Sequence, residues 1–232
     1  MDILRMRWRD VGFLHWPVDP SVVAETLPDP MTVDTYDGDA YLGVVPFRMA
    51  DIRPRGSPIG RSFGELNLRT YVRADGTPGV YFYNLDADDS LSVRLARRLF
   101  MLPYYSASMG VESRDGRVRF QSERPGTDGS TARFDVTYQG DGAPSTPDAH
   151  SLEQFLVERY RFYASAENGQ VYYADIDHAP WPLEAGTADV RRNELFDVNG
   201  FEYPDGEPLV HYSEGIDVTA GVLHRFEARA LD

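Results

Sequence analysis

A short polar strand carries the side chains of this sequence that are best suited to chemistry. Glu65, Asn67 and Arg69 alternate with Leu66 and Leu68. Because successive side chains of a strand point to opposite faces, a carboxyl, an amide and a guanidinium share one face. Together they could bind an anion, donate hydrogen bonds and move a proton. The polar face either meets water, as in an ordinary half-buried strand, or lines a closed cavity around a small ligand.

The elements that follow this strand could bring further groups to it. An Asp75-Gly76 turn predicts a hairpin with a second strand over residues 79–86, which carries Tyr83. The leucine spacing from residue 91 to 102 predicts an amphipathic helix with Arg97 and Arg98 near its end. These arginines could reach an anionic ligand, or they could simply complement the negative C-terminal end of the helix dipole.

The remaining pattern indicates a mainly β protein with a few short helices. Asp-Gly and Asn-Gly turns separate alternating runs, which favours antiparallel pairing, and strands are expected at 33–36, 40–49, 107–113, 117–123 and 132–139. Asp19-Pro20 predicts one helix start, and Ser151 with Gln154 forms a capping box that predicts a helix to about Arg159. A Pro- and Gly-rich loop over residues 54–60 is either a lid over the polar strand or a surface connector.

Length and composition predict a single domain over residues 1–232. The chain has 42% apolar residues, no internal repeat, no apolar run long enough to cross a bilayer and no signal-peptide pattern at its start. We therefore expect a soluble, cytoplasmic protein without a membrane partner. There is no cysteine, and none of the five histidines has a second histidine at helical metal-binding spacing. No metal and no cofactor are expected.

Both the net charge and the types of charged residue in this sequence are unusual. The net charge is −14, no residue is lysine, and 24 of the 37 acidic residues are aspartate. This acidic, lysine-free composition resembles that of extreme halophiles and predicts unfolding at low salt. No clustered arginine face with interleaved aromatics is evident, so no nucleic-acid partner is expected. The lack of lysine also excludes a side-chain Schiff base.

Seven segments resemble, in order, a known family over nearly the whole chain. They are Phe13-Leu14-His15-Trp16-Pro17, Asp37-Gly38-Asp39-Ala40-Tyr41-Leu42-Gly43-Val44-Val45-Pro46-Phe47, Glu65-Leu66-Asn67-Leu68-Arg69-Thr70-Tyr71-Val72, Gly79-Val80-Tyr81-Phe82, Ala96-Arg97-Arg98, Leu102-Pro103-Tyr104 and Glu158-Arg159-Tyr160. The chain is identified by these segments as resembling the YqjF-like family, a domain of unknown function within the acetoacetate decarboxylase-like superfamily.

The resemblance implies a cone-shaped antiparallel β-barrel with a closed internal site, which would turn the polar face of the Glu65 strand inward. The decarboxylases carry a Pro-Lys-Lys segment where this chain reads Pro103-Tyr104-Tyr105, so both lysines are replaced by tyrosine. Glu65 is similar to an acidic residue on the adjacent strand of those enzymes. The resemblance thus implies the fold and the location of the site, without the Schiff-base decarboxylation.

Two functions remain from the sequence. In the first, the cavity binds a small carboxylate or carbonyl compound: Arg69 and Arg98 serve the anion, Asn67 and Tyr104 donate hydrogen bonds, and Tyr83 forms part of the wall. In the second, the protein is an enzyme in which Glu65 is a general acid or base and Tyr104 and Arg69 stabilise an enolate. Glu65 and Arg69 could instead form a structural ion pair. Edge strands would allow a homodimer, although nothing in the sequence specifies one.

Overall fold

The computed structural model describes residues 2–90, 102–126, 129–166 and 169–227. Its short helices are α1 (Pro20–Ala24), α2 (Leu152–Val157) and α3 (Leu195–Val198). Its strands are β1 (Leu4–Val18), β2 (Met31–Val33), β3 (Ala40–Pro54), β4 (Arg61–Ala74), β5 (Thr77–Ala87), β6 (Tyr104–Ser106), β7 (Ser108–Arg114), β8 (Arg117–Pro125), β9 (Thr131–Gly140), β10 (Arg161–Ser165), β11 (Val171–His178), β12 (Glu184–Asn193), β13 (Leu209–Ala220) and β14 (His224–Arg225). The mainly β class predicted from the sequence is confirmed.

Seven strands close on themselves, and we call them the ring. In order they are β1, β3, β4, β5, β10, β11 and β13, and β13 returns to pair with β1. Most neighbours in the ring are antiparallel, whereas β5 pairs in parallel with β10 and also with the short strand β6. Closure leaves the ring without a free edge and encloses an interior, as the cone-shaped barrel prediction requires.

A second sheet covers one side of the ring. It consists of β7, β8, β9 and β12, and it joins the ring where β12 pairs with β13. The side chains of Leu66 and Leu68 on β4 pack outward against this sheet, in a core that includes Phe120 and Val136. Because one face of β4 meets this core and the other meets the ring interior, residues 63–72 are all buried. The polar face of β4 therefore does not meet water.

Local signals predicted several turns and helix starts correctly. Asp75-Gly76 and Asp115-Gly116 have positive φ at both positions, as two-residue hairpin turns require. The Asp19 side chain accepts a hydrogen bond from the Ser21 backbone N–H at 2.8 Å and caps α1. The predicted strands at 107–113, 117–123 and 132–139 correspond to β7, β8 and β9 within two residues.

Other predictions need correction or lie outside the described residues. Residues 33–36 do not form a hairpin strand with 40–49: β2 pairs with β4, and the Asp37-Gly38 turn closes only one bridge, between Tyr36 and Asp39. The capping-box helix ends at Val157, short of the predicted Arg159. The predicted helix over 91–102 falls almost wholly on residues that are not described. Over the described ranges, no helix has the length and apolar character needed to span a bilayer.

Candidate functional site

The ring encloses a cavity of about 470 Å³, and β4 crosses its wall. Arg61, Glu65, Asn67 and Arg69 all line it, and they follow one another along one face of the strand. At roughly 3.3 Å per residue, Arg61 and Arg69 lie about 26 Å apart along β4. Arg61 is half-exposed, whereas Glu65, Asn67 and Arg69 are buried. We call the Arg61 side the outer end of the cavity and the Arg69 side its inner end.

The helix α2 closes the inner end through its last carbonyl groups. The Leu156 carbonyl accepts hydrogen bonds from the Tyr71 hydroxyl at 2.7 Å and from the Arg69 guanidinium at 3.2 Å. The Tyr71 hydroxyl also lies 2.7 Å from Nε2 of His15. Burial, followed by the charge of Arg69, holds the pKa of His15 well below its usual value, so this histidine is neutral. A buried hydrogen-bond network thus closes the inner end of the cavity.

Glu65 forms a buried pair with Tyr104, which lies 39 positions further along the chain. The Tyr104 hydroxyl donates to Oε2 of Glu65 at 3.0 Å. Strand β6 brings Tyr104 there because it pairs with the end of β5 opposite Leu85. Burial raises the pKa of the Glu65 carboxyl to about 8, although the hydrogen bond from Tyr104 opposes this shift. Burial and the adjacent Glu65 also raise the pKa of Tyr104. Near neutral pH, Glu65 therefore holds a proton that it can donate.

Three residues that line the cavity carry buried polar atoms without a hydrogen-bond partner among the described residues. They are Oδ1 of Asn67, Nε of Arg69 and Nε1 of Trp8. A buried polar group left unpaired costs on the order of 1–3 kcal/mol, and such groups are uncommon in folded proteins. No protein group among the described residues therefore satisfies this acceptor and these two donors.

Two buried arginines line the cavity, and they differ in their counter-ions. Arg159 donates to Asp34 at 2.7 Å and to the Phe155 carbonyl at 2.7 Å. Arg69 donates only to neutral oxygens, those of Leu156 and Tyr71, and in the described part of the chain no carboxylate pairs with it. Glu65 and Arg69 thus do not form the ion pair considered above. An unpaired buried charge is unfavourable, so Arg69 is the group in this cavity most in need of an anion.

Tyr83 lies on the face of β5 that points away from the cavity. Strict alternation would place Tyr83 with Leu85 on the cavity side, but the pairing of β4 with β5 shifts between Leu68 and Arg69. β5 has one extra residue at this bulge. The side chains of β5 beyond the bulge therefore point to the opposite face, and Phe82 lines the cavity instead of Tyr83. Tyr83 packs against Phe201 and hydrogen-bonds to Thr26 at 2.7 Å.

The remaining predicted site residues differ in whether they line the cavity. Of the two tyrosines in the Pro103-Tyr104-Tyr105 segment, Tyr104 lines the cavity, whereas Tyr105 is partly exposed with its ring 4.5 Å from the Arg124 guanidinium. Arg98 lies outside the described residues. Three lining residues were not predicted from the sequence: Trp8, Phe82 and Trp181. Trp8 lies in an aromatic segment near the start of the chain, but no local pattern indicated that its side chain points into the cavity.

Comparison with solved structures identifies the fold. The chain matches acetoacetate decarboxylase from Legionella pneumophila with a TM-score of 0.69 and 14% identity, over 97% of this chain and 87% of that one. It matches MppR, an enduracididine biosynthesis enzyme solved in complex with pyruvate, with a TM-score of 0.67 and 12% identity over 97% and 91% of the two chains. The ring and its internal cavity therefore define a protein of the acetoacetate decarboxylase-like fold class.

Sequence comparison gives the family. Residues 5–217 match DUF2071, described as an uncharacterized conserved protein, and the chain belongs to this family. It is 41% identical over 227 residues to the uncharacterized protein YqjF of Bacillus subtilis strain 168, covering 97% of this chain and 93% of that protein. The resemblance inferred from the seven sequence segments is thereby confirmed for the family and for the fold.

Proposed function

We propose that the ring cavity binds a small carboxylate or carbonyl compound without forming a Schiff base. One observation carries the proposal: Arg69 is buried in the cavity, and no carboxylate pairs with it among the described residues. A ligand carboxylate beside the Arg69 guanidinium would neutralise this charge. Without lysine, the side chains offer no amine for an imine, so binding is noncovalent.

A carbonyl farther along the ligand would meet a second group of the cavity, Glu65, which lies about 13 Å from Arg69 along β4. Glu65, being protonated near neutral pH, can donate to a carbonyl oxygen, and it lies on the same face of β4 as Arg69. The unpaired Oδ1 of Asn67 would accept from a hydroxyl or enol form of the ligand. The MppR structure of the same fold was obtained with pyruvate, which joins a carboxylate to a carbonyl. Pyruvate is therefore a reasonable first probe for this chain.

The experiment is a binding titration of pyruvate and of acetoacetate by calorimetry. Arg69→Ala should weaken binding at least tenfold, because the charge-assisted contact is lost while the rest of the wall remains. Arg48→Ala is the matched control, since Arg48 is a half-exposed arginine of β3 that pairs with Asp10 and is absent from the cavity wall among the described residues. Equal binding by both variants would remove Arg69 from the anion site.

A second function, proton transfer, is favoured by the raised pKa of Glu65 and its contact with Tyr104. A carboxyl that titrates near neutral pH can serve as general acid or base, while Tyr104 and Arg69 stabilise an enolate. We expect Glu65→Gln to lower any such activity by about 100-fold and to leave binding of the anion largely intact. An active Glu65→Gln variant would reduce the function to binding alone.

The acidic, lysine-free composition supports a source that is rich in salt and a protein that unfolds in dilute buffer. Full stability at low salt would argue against this inference. A cytoplasmic location and a homodimer remain predictions from the sequence alone.

A further inference from the structure

The cavity is much longer than a three- or four-carbon acid requires, and its two halves differ in character. Glu65, Asn67 and Arg69 occupy the inner half of β4, over about 13 Å at the usual rise per residue. A similar length of β4, from Glu65 out to Arg61, remains to be filled. The proposed carboxylate site therefore leaves the outer half of the cavity without an occupant.

The strand register shows which side chains surround this outer half. Glu65 pairs with Phe47 of β3, and moving outward along β3 the wall continues through Met49 and Ile52. On β1, the residues paired with this outer stretch include Trp8, opposite Met49, and Met6, opposite Ile52. These side chains are apolar except for the single N–H of Trp8. The outer half is thus an apolar tube, rimmed at the partly exposed end by Ile59 and by the polar residues Arg53, Ser57 and Arg61.

We propose that the ligand is an amphipathic acid, with its carboxylate at Arg69 and an apolar chain or aryl group lying along Trp8, Met6 and Ile52 toward Ile59. This inference rests on the proposed function, since it takes Arg69 as the anion site, and it adds the chemical class of the rest of the molecule. Burial of each methylene in such a tube strengthens binding by about fourfold. A short acid would fill only the inner half and leave the apolar wall in contact with water.

The test is a calorimetric series of butyrate, decanoate, dodecanoate, tetradecanoate and hexadecanoate, measured below their micelle concentrations, because only the acids longer than decanoate extend from Arg69 past Glu65 into the apolar tube. We expect affinity to rise by about sixteenfold for each added pair of methylenes. Arg69→Ala should weaken every member of the series by the same factor, because the carboxylate contact is common to all of them.

A blocking variant locates the tail. Ala220 is a buried small residue of β13 that lines the outer end and pairs with Leu4 of β1. Ala220→Phe should leave butyrate affinity unchanged and remove the gain between dodecanoate and hexadecanoate. Val22→Phe is the matched control, because Val22 is a partly exposed residue of α1 and is not among the described residues that line the cavity. If Ala220→Phe fails to fold, the chain-length series on the unaltered protein decides the proposal by itself.

The outcomes separate the two proposals. If butyrate and hexadecanoate bind equally and both are lost in Arg69→Ala, the amphipathic ligand is overturned while the carboxylate site stands. When no carboxylate of the series binds, both proposals fail. Affinity that rises with chain length but is indifferent to Arg69→Ala would overturn the assigned orientation, since the tail would then bind without its carboxylate at Arg69.

Discussion

Two buried polar clusters lie on opposite faces of neighbouring strands, and they differ in how their groups are paired. The cavity cluster consists of Glu65, Asn67, Arg69 and Tyr104 inside the ring. The outer cluster consists of Asn84, Asp86, Arg124 and Asn199, between the ring and the second sheet. In the outer cluster, Asp86 accepts from Asn84 at 3.0 Å and from Arg124 at 3.1 Å, and Asn84 accepts from Asn199 at 2.8 Å.

The difference separates a structural role from a binding role. In the outer cluster the buried arginine has a carboxylate and each residue has a protein partner, so the cluster ties the second sheet to the ring. In the cavity cluster the buried arginine has no carboxylate among the described residues, and acceptor and donor atoms are left unpaired. Burial alone does not indicate function; a buried polar group without a protein partner is the stronger sign of a ligand site.

The largest expected effect is the pH dependence that Glu65 gives to the free energy of unfolding. Its pKa is raised from 4.5 to about 8 in the folded protein, so the folded state binds the proton more tightly than the unfolded state. The stability that comes from this proton is fully present below about pH 4.5 and is lost as pH rises through about 8. The total loss is roughly 5 kcal/mol in the free energy of unfolding.

Urea denaturation across this pH range, with Glu65→Gln as reference, measures the effect. Glutamine mimics the neutral carboxyl, so the two proteins should be about equally stable near pH 5, and Glu65→Gln should be the more stable near pH 9. The comparison with the variant cancels the titration of the other acids, including Asp86, whose pKa burial raises to about 6. Parallel pH profiles would mean that Glu65 titrates like an exposed acid.

The next effect compares how much each cluster contributes to the free energy of unfolding. Asp86→Ala should lower the free energy of unfolding by about 3–5 kcal/mol, because Arg124 is left buried without its carboxylate. Arg69→Leu should change it by only about 1 kcal/mol in the ligand-free protein, since the substitution removes a charge that has no carboxylate partner among the described residues. Chemical denaturation of both variants at pH 7 provides the measurement. Equal losses would abolish the distinction between the clusters.

The smallest effect comes from the two adjacent tyrosines. Tyr104→Phe removes the hydrogen bond that holds down the pKa of Glu65, so that pKa should rise further. Tyr105→Phe is the matched control, because Tyr105 is partly exposed and packs against Arg124. Infrared titration of the carboxyl stretch would follow Glu65 in each variant. A shift of similar size in Tyr105→Phe would show that the Tyr104 contact is not its cause.

Local rules predicted a large share of the fold. The Asp-Gly turns at 75–76 and 115–116, the cap at Asp19 and the alternation along β4 each depend on a few neighbouring residues. The capping box shows how far such rules reach. Ser151 accepts from the Gln154 N–H at 3.1 Å as predicted, but the Gln154 side chain accepts from the His150 N–H at 2.7 Å instead of from that of Ser151.

The sequence by itself determined that Glu65, Asn67 and Arg69 share a face and that no lysine is available for an imine. Only the tertiary structure decided what that face meets, because closure of the ring between β13 and β1 depends on pairings between distant parts of the chain. It also placed Tyr104 beside Glu65, and a single bulge opposite Arg69 put Phe82 in the cavity in place of Tyr83. Period-two alternation is a local property, whereas bulges and strand partners follow from the packing of the whole sheet.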